Sequence, residues 1–262
     1  GNLYGAYAFI EKYLGFRIFS QQKFVYEKDA LDIPNGIETE FEPTFEYRCT
    51  SWGAFSHEGS GPDYKLARGN NSHDSGAYDI QNASKGYTIG TTLYHAHSFE
   101  YQLGTPFAEN PCLTKEENFE KCWASICDLL DKRIASGQTI GKELTQISVA
   151  INDNNHYCTC RNCSKVNYEE GNVAGGTLVR FVNRIAEKVE ENYPGLDVYT
   201  IAYTYAKKAP VTHYRDSVIV CYCFDNACYR HPLSYDDCDT KPTTAAGQTV
   251  YHNNTDTREL FE

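Results

Sequence analysis

Residues 146–163, QISVAINDNNHYCTCRNC, constrain the chain more than any other stretch. Gln146–Ile151 is a short run of mostly β-branched and small residues, which suits a parallel strand covered on both faces. The run changes abruptly to Asn152-Asp153-Asn154-Asn155, with no Gly or Pro to make it a simple turn. In parallel α/β folds, ligands bind just beyond the carboxyl ends of strands. Asp153 is therefore the first candidate for function, with Asn152 and Asn154 beside it. The bland alternative is an Asx-type turn that caps the strand. The sequence leaves both open.

Around this strand the pattern alternates. Leu3, Ala6, Tyr7, Ile10, Tyr13 and Leu14 mark an amphipathic helix over 2–14, which Gly15 can stop. A short strand follows at Phe16–Ser20, and Pro34-Asn35-Gly36 reads as a turn. Residues 1–43 are expected to be the C-terminal part of an α+β domain, because so few elements cannot enclose a core alone. From 44 onward, strands are expected at Thr44–Arg48, Thr91–His97, 146–151, Val198–Tyr205 and Ser217–Phe224. A long polar loop covers 56–86, and residues 225–256 are also loop-like. Thr114 with Glu117 forms a capping-box pattern ahead of the stripe Phe119, Cys122, Trp123, Ile126, Cys127 and Leu130. A second helix is expected over 174–192, ended by Tyr193-Pro194-Gly195. Such alternation implies an α/β fold with a parallel sheet. A (β/α)8 TIM-type barrel usually needs about 250 residues, so 44–262 would hold an incomplete one of about five strands.

Composition narrows the partners. The formal net charge is −11 with no Lys/Arg cluster, so a polyanion such as nucleic acid is repelled on average. No apolar run reaches the roughly 18 residues of a membrane span. The opening GNLYGAYAFI lacks the basic flank and cleavage site of a signal peptide. Tyr numbers 21, and its amphipathic ring suits polyhydroxylated ligands as well as cores. The 11 cysteines cannot all pair within the chain.

Several expected strand ends finish in polar or aromatic groups. They are Arg48 and Trp52, His95 and His97, Asp153, Tyr203 and Tyr205, and Asp225. Co-directional strands bring such ends to one rim. Aromatic platforms, bidentate hydrogen-bonders and a carboxylate together fit a sugar. Separately, Cys158-Thr159-Cys160-Arg161-Asn162-Cys163 puts three thiols within a few residues. A structural zinc site takes four ligands, and Cys112, His156, Cys228 or His231 can supply the fourth. Mostly free thiols are the expectation, with a metal site or a disulfide as the alternatives. A second group, Cys221, Cys223, Cys228 and His231, lies on a later strand and its loop, and a site joining the two groups is also open. A cysteine nucleophile needs a base and a thiolate-favouring site, and clustered cysteines argue for structure instead. There is no P-loop, nucleophile elbow, H-E-x-x-H or G-x-G-x-x-G motif, so no cofactor is required.

Three stretches carry a family resemblance: LYGAYAFIEKYLGFRIF (3–19) with FEPTFEYR (41–48), AINDNNHYCTCRNC (150–163), and LVRFVNRIAEKVEENYPGLDVYTIAYTYAKKAP (178–210) with HPL (231–233). Together they resemble the domain-of-unknown-function 4838 family. That family is associated with family 163 glycoside hydrolases, endo-β-N-acetylglucosaminidases acting on N-glycans. The layout is similar to family 20 hexosaminidases and α-glucuronidases. The resemblance implies a glycan substrate, a secreted, periplasmic or cell-surface location, and retaining hydrolysis assisted by the substrate's own 2-acetamido group. It makes Arg48 a holder of sugar hydroxyls and His97 a site histidine. It places Asp153-Asn154 where family 20 has a catalytic Asp-Glu pair. Asn cannot donate the proton, and the chain contains no Asp-Glu dipeptide. The acid lies beyond Glu262, comes from a loop, or is absent from a module that binds glycans without cleaving them. The first is the expectation, with Asp153 the catalytic candidate in this chain.

Overall fold

The computed structural model describes residues 2–20, 23–26, 32–40, 91–93, 97–223, 243–245 and 248–250. The expected strand at 44–48, the loop at 56–86 and the site candidates Arg48, Trp52, His95, Asp225, Cys228 and His231 lie outside them. The chain divides into two compact units, Gly1–Thr91 and Thr92–Glu262.

In the first unit, helix α1 (Asn2–Leu14) forms over the residues its apolar spacing marks. Gly15 stops it with φ 68, a left-handed value that suits a residue without Cβ. Strands β1 (Phe16–Ser20) and β2 (Lys23–Tyr26) then pair antiparallel, Phe16 opposite Tyr26. Arg17 reaches back to the Glu11 carbonyl at 3.0 Å and to its carboxylate at 3.2 Å, tying the hairpin to the helix.

The second unit is built on a four-stranded sheet, β3 (Thr91–Leu93), β4 (Leu144–Ser148), β5 (Asp197–Ala202) and β6 (Val218–Tyr222), in that order. β5 runs parallel to both β4 and β6, with Ser148 opposite Tyr199 and Ala202 opposite Tyr222. Between them lie α2 (Phe99–Leu103), α3 (Glu116–Ala135), α4 (Arg161–Glu169) and α5 (Gly176–Asn192). A last hairpin, β7 (Thr243–Ala245) with β8 (Gln248–Val250), is antiparallel. Among the described residues no helix is long and apolar enough to cross a membrane.

The core follows the apolar stripes. Phe119, Cys122, Ile126 and Leu130 of α3 are buried, as are Leu178, Phe181, Val182, Ile185, Ala186 and Val189 of α5. Phe181 sits edge-on between Phe99 at 5.8 Å and Phe119 at 5.9 Å, the geometry aromatic quadrupoles favour. Gly176 opens α5 because a Cβ there would come within 2.6 Å of the Glu170 Cβ. Glu170, 1% exposed, accepts from the Thr212 amide and hydroxyl and pairs with Arg180, fixing the 211–212 segment to the end of α4. Burial pushes its carboxyl up, and these donors outweigh that to leave it below the ordinary range.

Four elements differ from expectation. The central strand is Leu144–Ser148, not 146–151. Val149, Ala150 and Ile151 stay buried; the Val149 amide still donates to the Tyr199 carbonyl of β5 at 2.8 Å, and from Ala150 the start of α2 takes over as partner. The Ala150 amide donates to Ser98 Oγ at 2.8 Å, and the Ser98 and Phe99 amides donate to the Ala150 carbonyl. The capping box does not form: α3 starts at Glu116 with Lys115 as cap and no side-chain cap bond. The Thr114 hydroxyl turns to the thiols of Cys163 and Cys112 instead. Residues 161–169 form a helix where the cysteine-rich run reads as loop. The fifth strand ends at Ala202, and Thr204–Ala206 is a 3-10 turn.

Candidate functional site

Because β4, β5 and β6 are parallel, the segments after Ser148, Ala202 and Tyr222 leave the same edge of the sheet. Asp153 is exposed there. The Tyr203 phenol lies beside its carboxylate, and the pull of Asp153 on the phenol proton, then burial, hold that proton on by raising its pKa. The His97 ring lies 6.0 Å from the Tyr203 ring and edge-on to Phe107 at 5.6 Å. His97 Nδ1 donates to the Ile151 carbonyl at 2.8 Å. Since a carbonyl accepts alone, that bond places the ring proton on Nδ1. Three sequence candidates, His97, Asp153 and Tyr203, thus meet through one tyrosine.

Cys223, Cys221 and Lys207 extend this edge. The two thiols influence each other: Cys221 is pushed down to about 6, first by its neighbour Cys223, and Cys223 is pushed up, first by Cys221, and feels Lys207 and Asp153 nearby. Burial lowers Lys207. The signal for Cys223 was in the sequence, as the second thiol of a C-x-C at a strand end. Nothing in the sequence marks Lys207.

The asparagines do different work. Asn152 is fully buried. Its side-chain oxygen accepts from the Glu100 amide at 3.2 Å, and its NH2 donates to the carbonyls of Glu109 at 2.9 Å and Pro106 at 3.3 Å. Its backbone amide donates to Asn110 Oδ1 at 2.8 Å. Asn154 donates to the Phe107 carbonyl and accepts from the Asn110 NH2 and the His156 amide. Both asparagines fasten the 104–110 loop to the end of β4 and leave Asp153 between them at the surface.

Thr204 has φ 48, a left-handed value that strains a β-branched residue. Its hydroxyl donates to the Asn154 carbonyl at 3.2 Å. The turn it makes separates two tyrosines: Tyr203 meets Asp153 and His97, and Tyr205 meets the Tyr157 ring at 4.9 Å. Tyr157 is 40% exposed, so this tilted pair presents an aromatic face.

Behind Tyr205 lies a thiol cluster. The ligand atoms of Cys112, Cys158, Cys160 and Cys163 lie within 4.8 Å of one another, an arrangement that can hold a metal ion. Cys112 supplies the fourth group; His156, an alternative on sequence, is not a member of the cluster. Cys221 and Cys223 are not members of the cluster. Cys160 caps α4, and its thiol is lowered to about 6, first by the Cys163 amide. Cys163 is pushed up to about 12, chiefly by burial. The described cysteines form no disulfide.

These features define an α/β protein whose parallel strands deliver an Asp–Tyr–His group to one edge, with a four-thiol cluster beside it. The chain belongs to the family described as Domain of unknown function (DUF4838), whose model matches residues 19–245. No curated protein and no solved structure matches it significantly.

Proposed function

We propose that the chain is the sugar-binding part of a glycoside hydrolase-like protein acting on N-acetylglucosamine-containing glycans. The observation that carries this reading is the meeting of Asp153, Tyr203 and His97 at the carboxyl edge of a parallel sheet. The fold that best fits is a (β/α)8 barrel in part, since β3, β4, β5 and β6 lie in sequence order with α-helices between β3 and β4 and between β4 and β5, and a 3-10 turn between β5 and β6. In this reading Asp153, oriented by Tyr203, accepts a hydrogen bond from the N–H of a 2-acetamido group. That bond holds the acetamido oxygen in line with the anomeric carbon for retaining, substrate-assisted cleavage. The Tyr157 and Tyr205 rings offer an apolar platform for a sugar face. The cysteine cluster has a structural part here: zinc in it holds loops and leaves the sugar chemistry to carboxylates.

The test is hydrolysis of N-glycans and aryl β-N-acetylglucosaminides by the protein, with Asp153→Asn alongside. The expected outcome is turnover that falls at least about 100-fold in the variant while glycan binding persists. A parent protein that shows no turnover and binds no glycan would defeat the reading.

One observation favours a second reading, a non-catalytic carbohydrate-binding module. Asn154 stands where an acid would be needed, and its amide is engaged by Phe107, Asn110 and His156. Glycan binding without turnover, unaffected by Asp153→Asn, would select it.

A further inference from the structure

We propose that Cys112, Cys158, Cys160 and Cys163 bind one zinc ion as a closed tetrathiolate, and that this ion clamps the 104–115 loop onto the segment carrying Asp153. The clamp rests on the structural-zinc reading above and adds its fourth ligand and its purpose.

The geometry is that of a mononuclear site. Cys112 Sγ lies 3.5 Å from Cys163 Sγ and 3.8 Å from Cys160 Sγ. A tetrahedron of metal–sulfur bonds of about 2.3 Å has sulfur–sulfur edges of about 3.8 Å. A polynuclear iron–sulfur cluster places several atoms between its cysteines and would hold the thiols further apart. Thiols are weak donors and weak acceptors, so their mutual bonds do little to gather four of them. A soft cation does, and four thiolates leave it no open position, which marks a structural rather than a catalytic site. The ligands come from two places in the chain. Cys160 and Cys163 form a C-x2-C knuckle on the first turn of α4, with Cys158 just before it. Cys112 comes from the loop between α2 and α3. The Thr114 hydroxyl, 3.2 Å from Cys163 Sγ and 3.4 Å from Cys112 Sγ, supplies the outer hydrogen bonds that orient metal-bound sulfur.

The purpose follows from where Cys112 sits. Asn152 and Asn154 pin the same loop at Pro106, Phe107, Glu109 and Asn110. Asp153 lies between those anchors, and Cys158 lies further along its own segment. Zinc binding, with the thiol protons released to solvent, therefore closes a second fastening around the strand-end group.

The test measures zinc in the whole purified chain by plasma mass spectrometry. It then follows amide exchange in the loaded protein, after chelation, and after zinc alone is returned. One zinc per chain is expected. Removing it should speed exchange at 104–115 and 152–160 about tenfold, change 176–192 less than about twofold, and be reversed by zinc. Cys112→Ser should bind zinc at least about tenfold more weakly, and Cys127→Ser, outside the cluster, should bind it like the parent. A chain that takes up no zinc overturns the site. Parent-like uptake by Cys112→Ser overturns its fourth ligand, and identical exchange with and without zinc overturns the clamp. No readout involves a saccharide, so failure of the glycan reading and failure of this one are separately visible.

Discussion

The 104–115 loop is fastened to the end of β4 in two ways, and the two differ in kind. The asparagine fastening is complete within the chain. Asn152 has partners for its side-chain oxygen and for its NH2, all backbone groups of Glu100, Pro106 and Glu109. The thiol fastening is of another kind. Four cysteines converge without a disulfide in an arrangement that can hold a metal ion, and in the proposal above an added cation stabilises their convergence. Neutral amide bonds form as the chain folds and hold under any ionic condition. A ligand cluster makes the same junction conditional on metal supply. A loop held both ways can keep its path while its rigidity is adjusted.

The largest effect should come from the unconditional side. Asn152→Ala leaves the Glu100 amide and two carbonyls without their partner in a buried place, a cost of about 3 kcal/mol. Denaturant unfolding should show this loss equally with and without zinc. A loss that appears only in the loaded protein would mean that the two fastenings are one. Next comes Thr114→Val, which keeps shape but removes the hydroxyl from Cys163 and Cys112. Zinc affinity should fall about tenfold while the stability of the zinc-free chain changes by less than about 0.5 kcal/mol. Competition with a chromophoric chelator and unfolding of the stripped protein measure the two halves.

A third region, away from both fastenings, responds to pH. Arg215 pairs with Glu190 at 2.6 Å, and Ser217 donates to the same carboxylate. Arg215 first and Ser217 second hold Glu190 down to about 2. A carboxylate lowered in the folded state stabilises above its unfolded pKa of about 4.3. That stabilisation is lost as the pH falls from there through about 2. The pair is partly exposed, so Glu190→Gln should cost no more than about 1 kcal/mol at neutral pH. The difference from the parent should vanish near pH 2 in an unfolding series. The asparagine fastening has no titrating group, and exchange at 104–110 should not follow this curve.

Much of this was legible in the sequence where one local rule decides. The stripes of α3 and α5 gave the core, because helical spacing survives in any context. The strand followed by Asn152-Asp153-Asn154 gave the edge where His97, Asp153 and Tyr203 meet, because parallel strands share a direction. What was not legible depends on distant partners. Gln146–Ile151 is uniformly strand-like, yet the strand ends at Ser148 and, after one last bond from the Val149 amide to β5, Ser98 captures Ala150. Thr114 and Glu117 form a sound capping box, yet the hydroxyl is drawn to Cys163. Spacing alone showed three thiols of four, since Cys112 reaches the others only through the fold. Asn152 and Asn154 read as ligand groups, and nothing local reveals that their amides hold a loop.

The smallest expected effect probes how the asparagine fastening joins β5. Thr204 sits at φ 48, and its hydroxyl donates to the Asn154 carbonyl at 3.2 Å. Strain of this type costs of order 1–3 kcal/mol, while the hydrogen bond returns about 1 kcal/mol. Asn accepts left-handed backbone more readily than a β-branched residue and carries an NH2 that can reach the same carbonyl. Thr204→Asn should therefore raise stability slightly, by about 0.5 kcal/mol, seen as a small rise in melting temperature with zinc content unchanged. If the strain is what turns Tyr203 toward Asp153, relieving it should also loosen that pair. The phenol would then titrate closer to an ordinary tyrosine, because the carboxylate that raises it has moved away. A stabilised variant whose Tyr203 titrates like the parent's would show that the kink belongs to the loop fastening alone and has no part in the strand-end group.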